Sequence, residues 1–493
     1  MKKSITKKSQ QGMAVIMTVL TMMVTIPLVG LAFDVGVLYM IRGKLYQALD
    51  AGALAGARAL GQGPDSGTQT SNAQAAAAKY FNANFPSGFW GTISVNFPTP
   101  TVDSTSTPNY RTVTTSATIT APLYFLRMLG QDTATIAGVS QAGRRDALVM
   151  LVLDRSSSMN GAFQGSTSCD VMKSDAAQFL SNFAQGRDMV GLVIFGSSAF
   201  TAAPTTSFGS VIVPLINQIN CGGNTNMAEG VHQAYSQIQA VNSTTRANVI
   251  VLMTDGRPNG FTGDYTNYRT SSGTCGTSNP PFWGVFAQWS GGPVTTPTTT
   301  AGLMLWQASS ASYDTDAVTP RATSTCHMGA PNTTANLTNG YLDITQMPPT
   351  DVYNNSTTGP YSANNPNYPY YNTTAILTKS GSVFLPKWVE VAAANAVDNQ
   401  GTVIRSNTTL KPAIYTIALE GNGGANDAPD TLLLRKLANE PTMQNDSDST
   451  TRTMWAGQNP GQTVGFFVDA PDPSQLCAAF NQIATQIVVR LAK

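Results

Sequence analysis

Five side chains in this sequence could together hold a hard metal ion. They are Asp154, Ser156 and Ser158 in LVLDRSSSMN (151–160), Thr225 in CGGNTNMAEG (221–230) and Asp255 in VLMTDG (251–256). All five offer oxygen, and hydroxyls with carboxylates are the ligands a hard divalent cation prefers. Two carboxylates roughly neutralise one divalent charge. Three hydroxyls and bound waters can fill an octahedron and leave a position open. Each residue also has an ordinary reading. Ser156 or Ser158 could cap a following helix, Thr225 could cap MAEGVHQAY, and Asp255-Gly256 could be a plain turn. Their shared position just beyond apolar runs favours one site over separate accidents.

Those apolar runs are the elements that must position the five. DALVMLVLD (146–154) is continuously apolar, as a strand buried on both faces should be. MVGLVIFG (189–196), ANVIVLMTDG (247–256), AIYTIALEG (413–421) and GFFVDA (465–470) follow the same pattern. Helical stretches alternate with them at 170–185, 227–240, 385–397, 430–439 and 473–492. The alternation predicts an α/β fold with a mostly parallel central sheet flanked by helices. Such sheets bind ligands at the carboxyl ends of their strands, near the topological switch point. Asp154 and Asp255 fall at two of those ends.

Asp154-x-Ser156-x-Ser158, then Thr225, then Asp255 in TDG resembles the metal-ion-dependent adhesion site of von Willebrand factor A domains. The resemblance implies Mg2+ or Mn2+ bound directly by Ser156, Ser158 and Thr225. Asp154 and Asp255 would act through water or as switchable ligands. An acidic side chain from a protein partner would complete the shell.

The N-terminus carries Lys2, Lys3, Lys7 and Lys8, followed by an uncharged run over 13–33. Twenty-one residues at ~1.5 Å each span ~30 Å of hydrocarbon. The run is longer than a signal-peptide core, and its exit, FDVGVLYMIRGKL, has no small-residue cleavage site. The expectation is an uncleaved single-pass anchor in a bacterial cytoplasmic membrane. The lysines keep the N-terminus in the cytoplasm and leave the bulk of the chain in the periplasm or outside the cell. The helix should continue outward, with Val35, Leu38, Leu45, Leu49, Ala53 and Leu60 along one stripe. Gly52 and Gly56 form a small-xxx-small face. It suits either homo- or hetero-association with a partner helix or packing inside the chain's own core.

The stretch QQGMAVIMTVL…VGLAFDVGVLYMIRGKLYQALDAGALAGAR resembles the opening of TadE/TadG-like proteins of the Flp (Tad) pilus-assembly system. TNMAEGV, beginning at Thr225, resembles the corresponding loop of their A-domain members. Gly12 is followed by MAVIM with no acid, unlike the glutamate after the cleavage glycine of pilin-like subunits. The resemblance implies a membrane-anchored, metal-dependent protein-binding component of Flp/Tad pilus assembly or anchoring. A surface adhesin or matrix-binding protein unconnected with pili is the next expectation, and an anchored metal-dependent hydrolase the third.

The domain organisation expected is 1–60 for tail, anchor and helix extension, 61–145 for a small α+β region, and 146–493 for the A-type domain. In the small region 72–85 reads as a helix, 91–97, 111–121 and 133–143 as strands, and PLYFLRMLG (122–130) as helical. The strand–helix rhythm fails between about 259 and 383, where only eight residues are Asp, Glu, Lys or Arg. An unstructured loop of that length is unusual in a compact domain. It reads either as a cap shaping partner access, with Trp283, Trp289, Trp306 and YPYY (368–371) as its apolar material, or as a tolerated surface insertion.

Charged residues make up 11% of the chain and the net charge is +1, which argues against nucleic acid as a partner. Five cysteines without a C-x-x-C pair weaken zinc and thioredoxin-type readings. In an oxidising compartment Cys169–Cys221 and Cys275–Cys326 are the pairings to try, with Cys477 left over; buried thiols are the other reading. Two histidines, His232 and His327, are too few for a metal site of their own. His232 falls in a helix, as an exposed or structural residue. HExxH, GxSxG and GxxxxGK[ST] motifs are absent from the sequence, and binding rather than catalysis is expected.

Overall fold

One helix of 52 residues, α1 (Lys8–Ala59), opens the chain. In this computed structural model residues 8–264, 283–287, 307–308, 348–358, 386–420, 428–445 and 461–491 are described. Among them α1 is the one helix long and apolar enough to cross a membrane. Contacts divide the chain into two units, Met1–Arg144 with Ala492–Lys493 and Arg145–Leu491.

In the first unit the apolar half of α1 is exposed, and its second half supplies core. Val37, Ile41, Leu45, Leu49, Ala53, Ala57 and Leu60 are buried. Val35, placed on this stripe by sequence spacing, is exposed. It lies two residues from Val37, about 200° around the helix. The second helix, α2 (Ser66–Asn84), begins at Asp65, whose carboxylate accepts the Thr68 N–H at 2.9 Å. It therefore starts six residues before the span read from sequence. Gly52 and Gly56 pack within the unit. A Cβ at Gly52 would lie 3.0 Å from the Ala77 carbonyl, and one at Gly56 would lie 2.9 Å from Val113 and 3.0 Å from the Ala73 carbonyl. The small-residue face thus serves the chain's own helix and sheet.

The sheet of this unit has β3 (Tyr110–Pro122) at its centre. It pairs with β1 (Ser94–Asn96), β2 (Thr101–Thr107) and β4 (Thr133–Arg145). Its burial alternates, with Val113, Thr115, Ala117, Ile119 and Ala121 inward, the period-2 pattern of a strand with one covered face. Arg111 is fully buried and closes the end of α1, donating to the Leu60 carbonyl at 2.7 Å and to Gln69 Oε1 at 2.8 Å. Between β3 and β4, PLYFLRMLG forms a single 3-10 turn, Leu126–Leu129, instead of the helix expected.

The second unit is a six-stranded sheet in the order β15-β14-β10-β5-β8-β9. Its strands are β5 (Ala147–Asp154), β8 (Met189–Phe195), β9 (Ala199–Thr205), β10 (Ala247–Thr254), β14 (Ala413–Leu419) and β15 (Phe466–Ala470). Every pairing is parallel except β8–β9. A ribbon of β6 (Ala162–Phe163) and β7 (Ser166–Thr167) precedes α3 (Ser168–Phe179). One face is covered by α3, α4 (Phe208–Asn217) and α8 (Leu476–Leu491), through Phe179, Ile212 and Phe480. The other is covered by α5 (Met227–Val241), α6 (Pro386–Arg405) and α7 (Thr431–Leu437), through Val231, Ile238, Val389 and Leu433. Every residue of β5 is buried, as its unbroken apolar run requires.

The insertion begins as β11 (Gly260–Asp264), which pairs antiparallel with β12 (Trp283–Ala287); β12 pairs with β13 (Gln307–Ala308). Residues 348–358 then return to β11, where the Val352 N–H meets the Thr262 carbonyl at 3.0 Å. Trp289, Trp306 and 368–371 lie outside the described residues, as do Cys275, Cys326 and His327.

Candidate functional site

β5 and β10 run side by side, so Asp154 and Thr254 finish at the same edge of the sheet. Thr254 Oγ1 donates to Asp154 Oδ2 at 2.5 Å. The other oxygen, Oδ1, accepts the Ser156 N–H at 2.7 Å. This turn of the chain onto its own carboxylate, which Asp makes readily, brings Ser156 back over the strand end. Ser156 Oγ lies 2.9 Å from Ser158 Oγ, and both approach Asp255 Oδ1, at 3.3 Å and 2.7 Å. Four of the five residues singled out from sequence therefore meet in one cluster. Asp154, Ser156 and Asp255 are buried, and Ser158 is half-buried.

The ordinary readings of these hydroxyls do not describe their contacts. Ser156 precedes the 3-10 turn Ser157–Asn160 without capping it through its side chain. α3 is capped by Thr167, and α5 by Asn226. Thr225 stands one residue before that cap, buried, and held through its main chain. Its N–H donates to Asn259 Oδ1 at 2.7 Å, and its carbonyl accepts the Asn259 N–H at 3.1 Å. These hydrogen bonds of Thr225 run to Asn259 and not to the serine–aspartate cluster.

The loop carrying Thr225 is nonetheless pinned to the loop carrying the serines. The Ser157 N–H donates to the Gly223 carbonyl, and the Gly223 N–H returns to Ser157 Oγ, each at 3.0 Å. Asn160 Nδ2 donates to the Cys221 carbonyl at 3.0 Å. The expected disulfide between Cys169 and Cys221 is present, with Cα atoms 6.2 Å apart, and ties the start of α3 to this loop. Cys477 carries a free, half-buried thiol. The bond closes a loop with a sequence separation of 52 residues, which contributes about 4 kcal/mol in the chain-entropy account. Reductant is therefore expected to lower the melting temperature of the wild type to that of Cys221→Ser and to leave the variant unmoved. Wild-type melts that coincide with and without reductant would rule the contribution out.

A buried polar network sits beneath α5. Asn226 Nδ2 donates to Glu229 Oε2 at 3.0 Å and to Thr262 Oγ1 at 2.9 Å; Thr262 Oγ1 donates to Glu229 Oε2 at 2.6 Å. Burial pushes the Glu229 carboxyl up to about 7, with the nearby Asp351 adding to the effect and the Thr262 bond opposing it. Asp351 is raised to about 6, also by burial, against hydrogen bonds from Asn355 and Tyr353. The His232 ring stacks on Tyr353 with centroids 3.8 Å apart and meets Gln400 Oε1 at 3.2 Å. Burial holds its imidazole below the usual range. His232 is thus a packed structural residue. Sequence reasoning missed Thr254, Asn259, Asn226 and Glu229; TDG and TNMAEG contain three of them, but their roles depend on contacts across strands.

The donor set at the sheet edge, two carboxylates with hydroxyls and nothing softer, fits a hard divalent cation. Among the described residues no group of three or more His, Cys, Asp or Glu is placed to hold a metal. Any cation here would therefore rely on the serine and threonine oxygens.

Residues 149–257 match the von Willebrand factor type A domain family. No curated protein matches the chain. Among solved structures it is similar to the PilB minor pilin from Streptococcus sanguinis, at 16% identity over 80% of this chain and 79% of that one, TM-score 0.35. The vWF domain of the type V pili tip protein Mfa5 from Porphyromonas gingivalis matches at 16% identity over 71% and 97%, TM-score 0.34. The pilus adhesin SpaC from Lactobacillus rhamnosus GG matches at 11% identity over 83% of this chain but 37% of its own length, TM-score 0.36. After its long apolar helix and a small α+β region, the chain carries a von Willebrand factor A-like α/β domain with a mixed, mostly parallel sheet.

Proposed function

We propose that the chain is a membrane-anchored protein-binding component of Flp/Tad pilus assembly or anchoring. It works by binding and not by turnover. In this reading Ser156, Ser158 and Thr225 hold Mg2+ or Mn2+, Asp154 and Asp255 balance its charge, and an acidic side chain of the partner takes the open position. α1 crosses the cytoplasmic membrane with its N-terminus inside. The observation that carries the reading is the meeting of the Ser156 and Ser158 hydroxyls over Asp255 at the end of the sheet, free of any capping duty. The assignment to pili rests on the resemblance of residues 10–60 and of TNMAEGV to TadE/TadG-like proteins.

The test is a crosslinked pull-down from intact envelopes in Mg2+ and in EDTA. A partner captured in Mg2+ and lost in EDTA is the expected result, and a pilus-assembly protein among the captured chains supports the pilus assignment. Capture of host or matrix protein alone would replace pilus assembly with adhesion. The same partner in both conditions would exclude the cation mechanism.

A further inference from the structure

We propose that the loop joining β3 to β4 is a second membrane contact, seated in the interfacial layer of the bilayer that α1 crosses. The proposal rests on reading α1 as a membrane span. From Met13 to Phe33 every residue of α1 is exposed except Gly30. Gly30 is covered by Phe125, so closely that a Cβ on Gly30 would lie 2.7 Å from that side chain. One turn on, the Phe33 ring meets Tyr124 and Phe125 edge-on, with centroids 5.9 Å and 5.6 Å apart. The loop therefore sits beside the last turn of the apolar run, within about 5 Å of its end.

Its chemistry suits that depth. Met128 is 82% exposed and Leu129 71%, at the tip of the turn, with Tyr124, Phe125 and Trp90 each about two-fifths exposed behind them. Tyr124 Oη donates to the Trp90 carbonyl at 3.2 Å, which places that tryptophan at the same end of the unit. Apolar tips flanked by Trp and Tyr are the side chains that favour the headgroup boundary. Arg127, exposed between them, can reach lipid phosphates while its stem stays among apolar groups.

The main chain of the loop is prepared for a place short of water. Asp34 is the first charged residue after Lys8 and is buried. Its carboxylate accepts the N–H groups of Tyr124, Phe125 and Leu126 at 2.8, 3.0 and 2.8 Å. Three donors that would otherwise need solvent are satisfied by one acid. The charge of that acid is in turn kept from facing lipid.

The test uses the full chain in nanodiscs of phosphatidylethanolamine and phosphatidylglycerol. A fluorescent amino acid is placed singly at Met128, at Leu20 and at Thr107. Leu20 lies in the apolar run, and Thr107 is exposed near the far end of the unit, since β2 and β3 join beside Arg111 and Leu60. Circular dichroism and melting check each variant for folding. With the label at 128, we expect a blue-shifted emission, loss of most of that emission to doxyl groups near the lipid headgroups, and protection from iodide. The label at 107 should show the reverse. Quenching by doxyl lipid at 20 but not at 128 would overturn the loop contact and leave the span standing. No lipid quenching at either position would remove both. Protection of 128 from doxyl lipid and iodide alike would point to a second copy of the chain on this loop, and would also overturn the proposal.

Discussion

Asp154→Asn should abolish the rise in melting temperature that Mg2+ or Mn2+ gives the wild type over EDTA. A cation at a hundred times its dissociation constant stabilises the state that binds it by ~2.7 kcal/mol. The variant should gain nothing measurable. Asp154 has two tasks at the strand end, accepting the Ser156 N–H and the Thr254 hydroxyl. Asparagine keeps an acceptor for one of them and removes half of the carboxylate charge of the cluster. Asp154→Ala removes both contacts and should lower the metal-free stability as well, by about 1–3 kcal/mol for broken buried hydrogen bonds, and with it the melting temperature. Comparing the two variants by scanning fluorimetry and titration calorimetry separates charge from packing. A full cation response in Asp154→Asn would sink the metal assignment.

The second large effect is on pH. In the fold the Glu229 carboxyl is raised to about 7 and that of Asp351 to about 6, both by burial. The folded chain thus keeps protons that the unfolded chain gives up nearer pH 4. The stability these two groups confer is complete below their unfolded values and is lost as pH climbs through about 6 for Asp351 and about 7 for Glu229. For Glu229 the loss is on the order of 3 kcal/mol. His232 acts in the opposite sense. Its imidazole is held below the usual range, so its contribution is lost as pH falls through the range in which the folded ring takes up its proton. The reading is therefore a difference between chains. Urea midpoints of wild type and Glu229→Gln are compared at pH 5 and pH 8, and the wild type should fall further across that interval. Equal changes in the two chains would show that Glu229 does not titrate as its burial requires.

The strands that carry the site were legible because each is a continuous apolar run. β5, β8, β10, β14 and β15 begin and end within a residue or two of the runs in the sequence. β9 was not legible: AFTAAPT is only partly buried and contains Pro204, which an edge strand tolerates and a central one does not. α4 was hidden for another reason. FGSVIVPLIN is apolar and carries Pro214, so its sequence reads more readily as a broken strand than as a helix. β2, TVDSTST, buries almost nothing and offers no pattern.

At the site the same division holds. Asp154, Ser156 and Ser158 are neighbours in sequence, and Asp255 ends the adjacent strand, so their meeting follows from the parallel pairing of β5 with β10. Glu229 belongs to α5 and Asp351 to the insertion, more than a hundred residues further along the sequence. Only the return of 348–358 onto β11 and α6 brings them close. No spacing rule links them. Glu229, at the third position of α5, has the sequence position of any acid in a first helical turn, which carries no sign of burial.

The continuity of α1 has a mechanical consequence. The exposed apolar segment, the proposed membrane span, and the segment buried in the first unit belong to one helix, with no tether between them. A flexible linker would let the unit tumble beside the membrane. A shared helix makes any rotation of the span a rotation of the unit. The one built-in break in the hydrogen-bond ladder of the apolar half is at Pro27, whose missing N–H leaves a carbonyl one turn earlier without its partner. Bending should therefore concentrate inside the apolar run, three residues before Gly30. With α1 read as the proposed span, a load applied to the unit would bend the helix at Pro27, within the apolar run, before it strained the unbroken turns around Phe33.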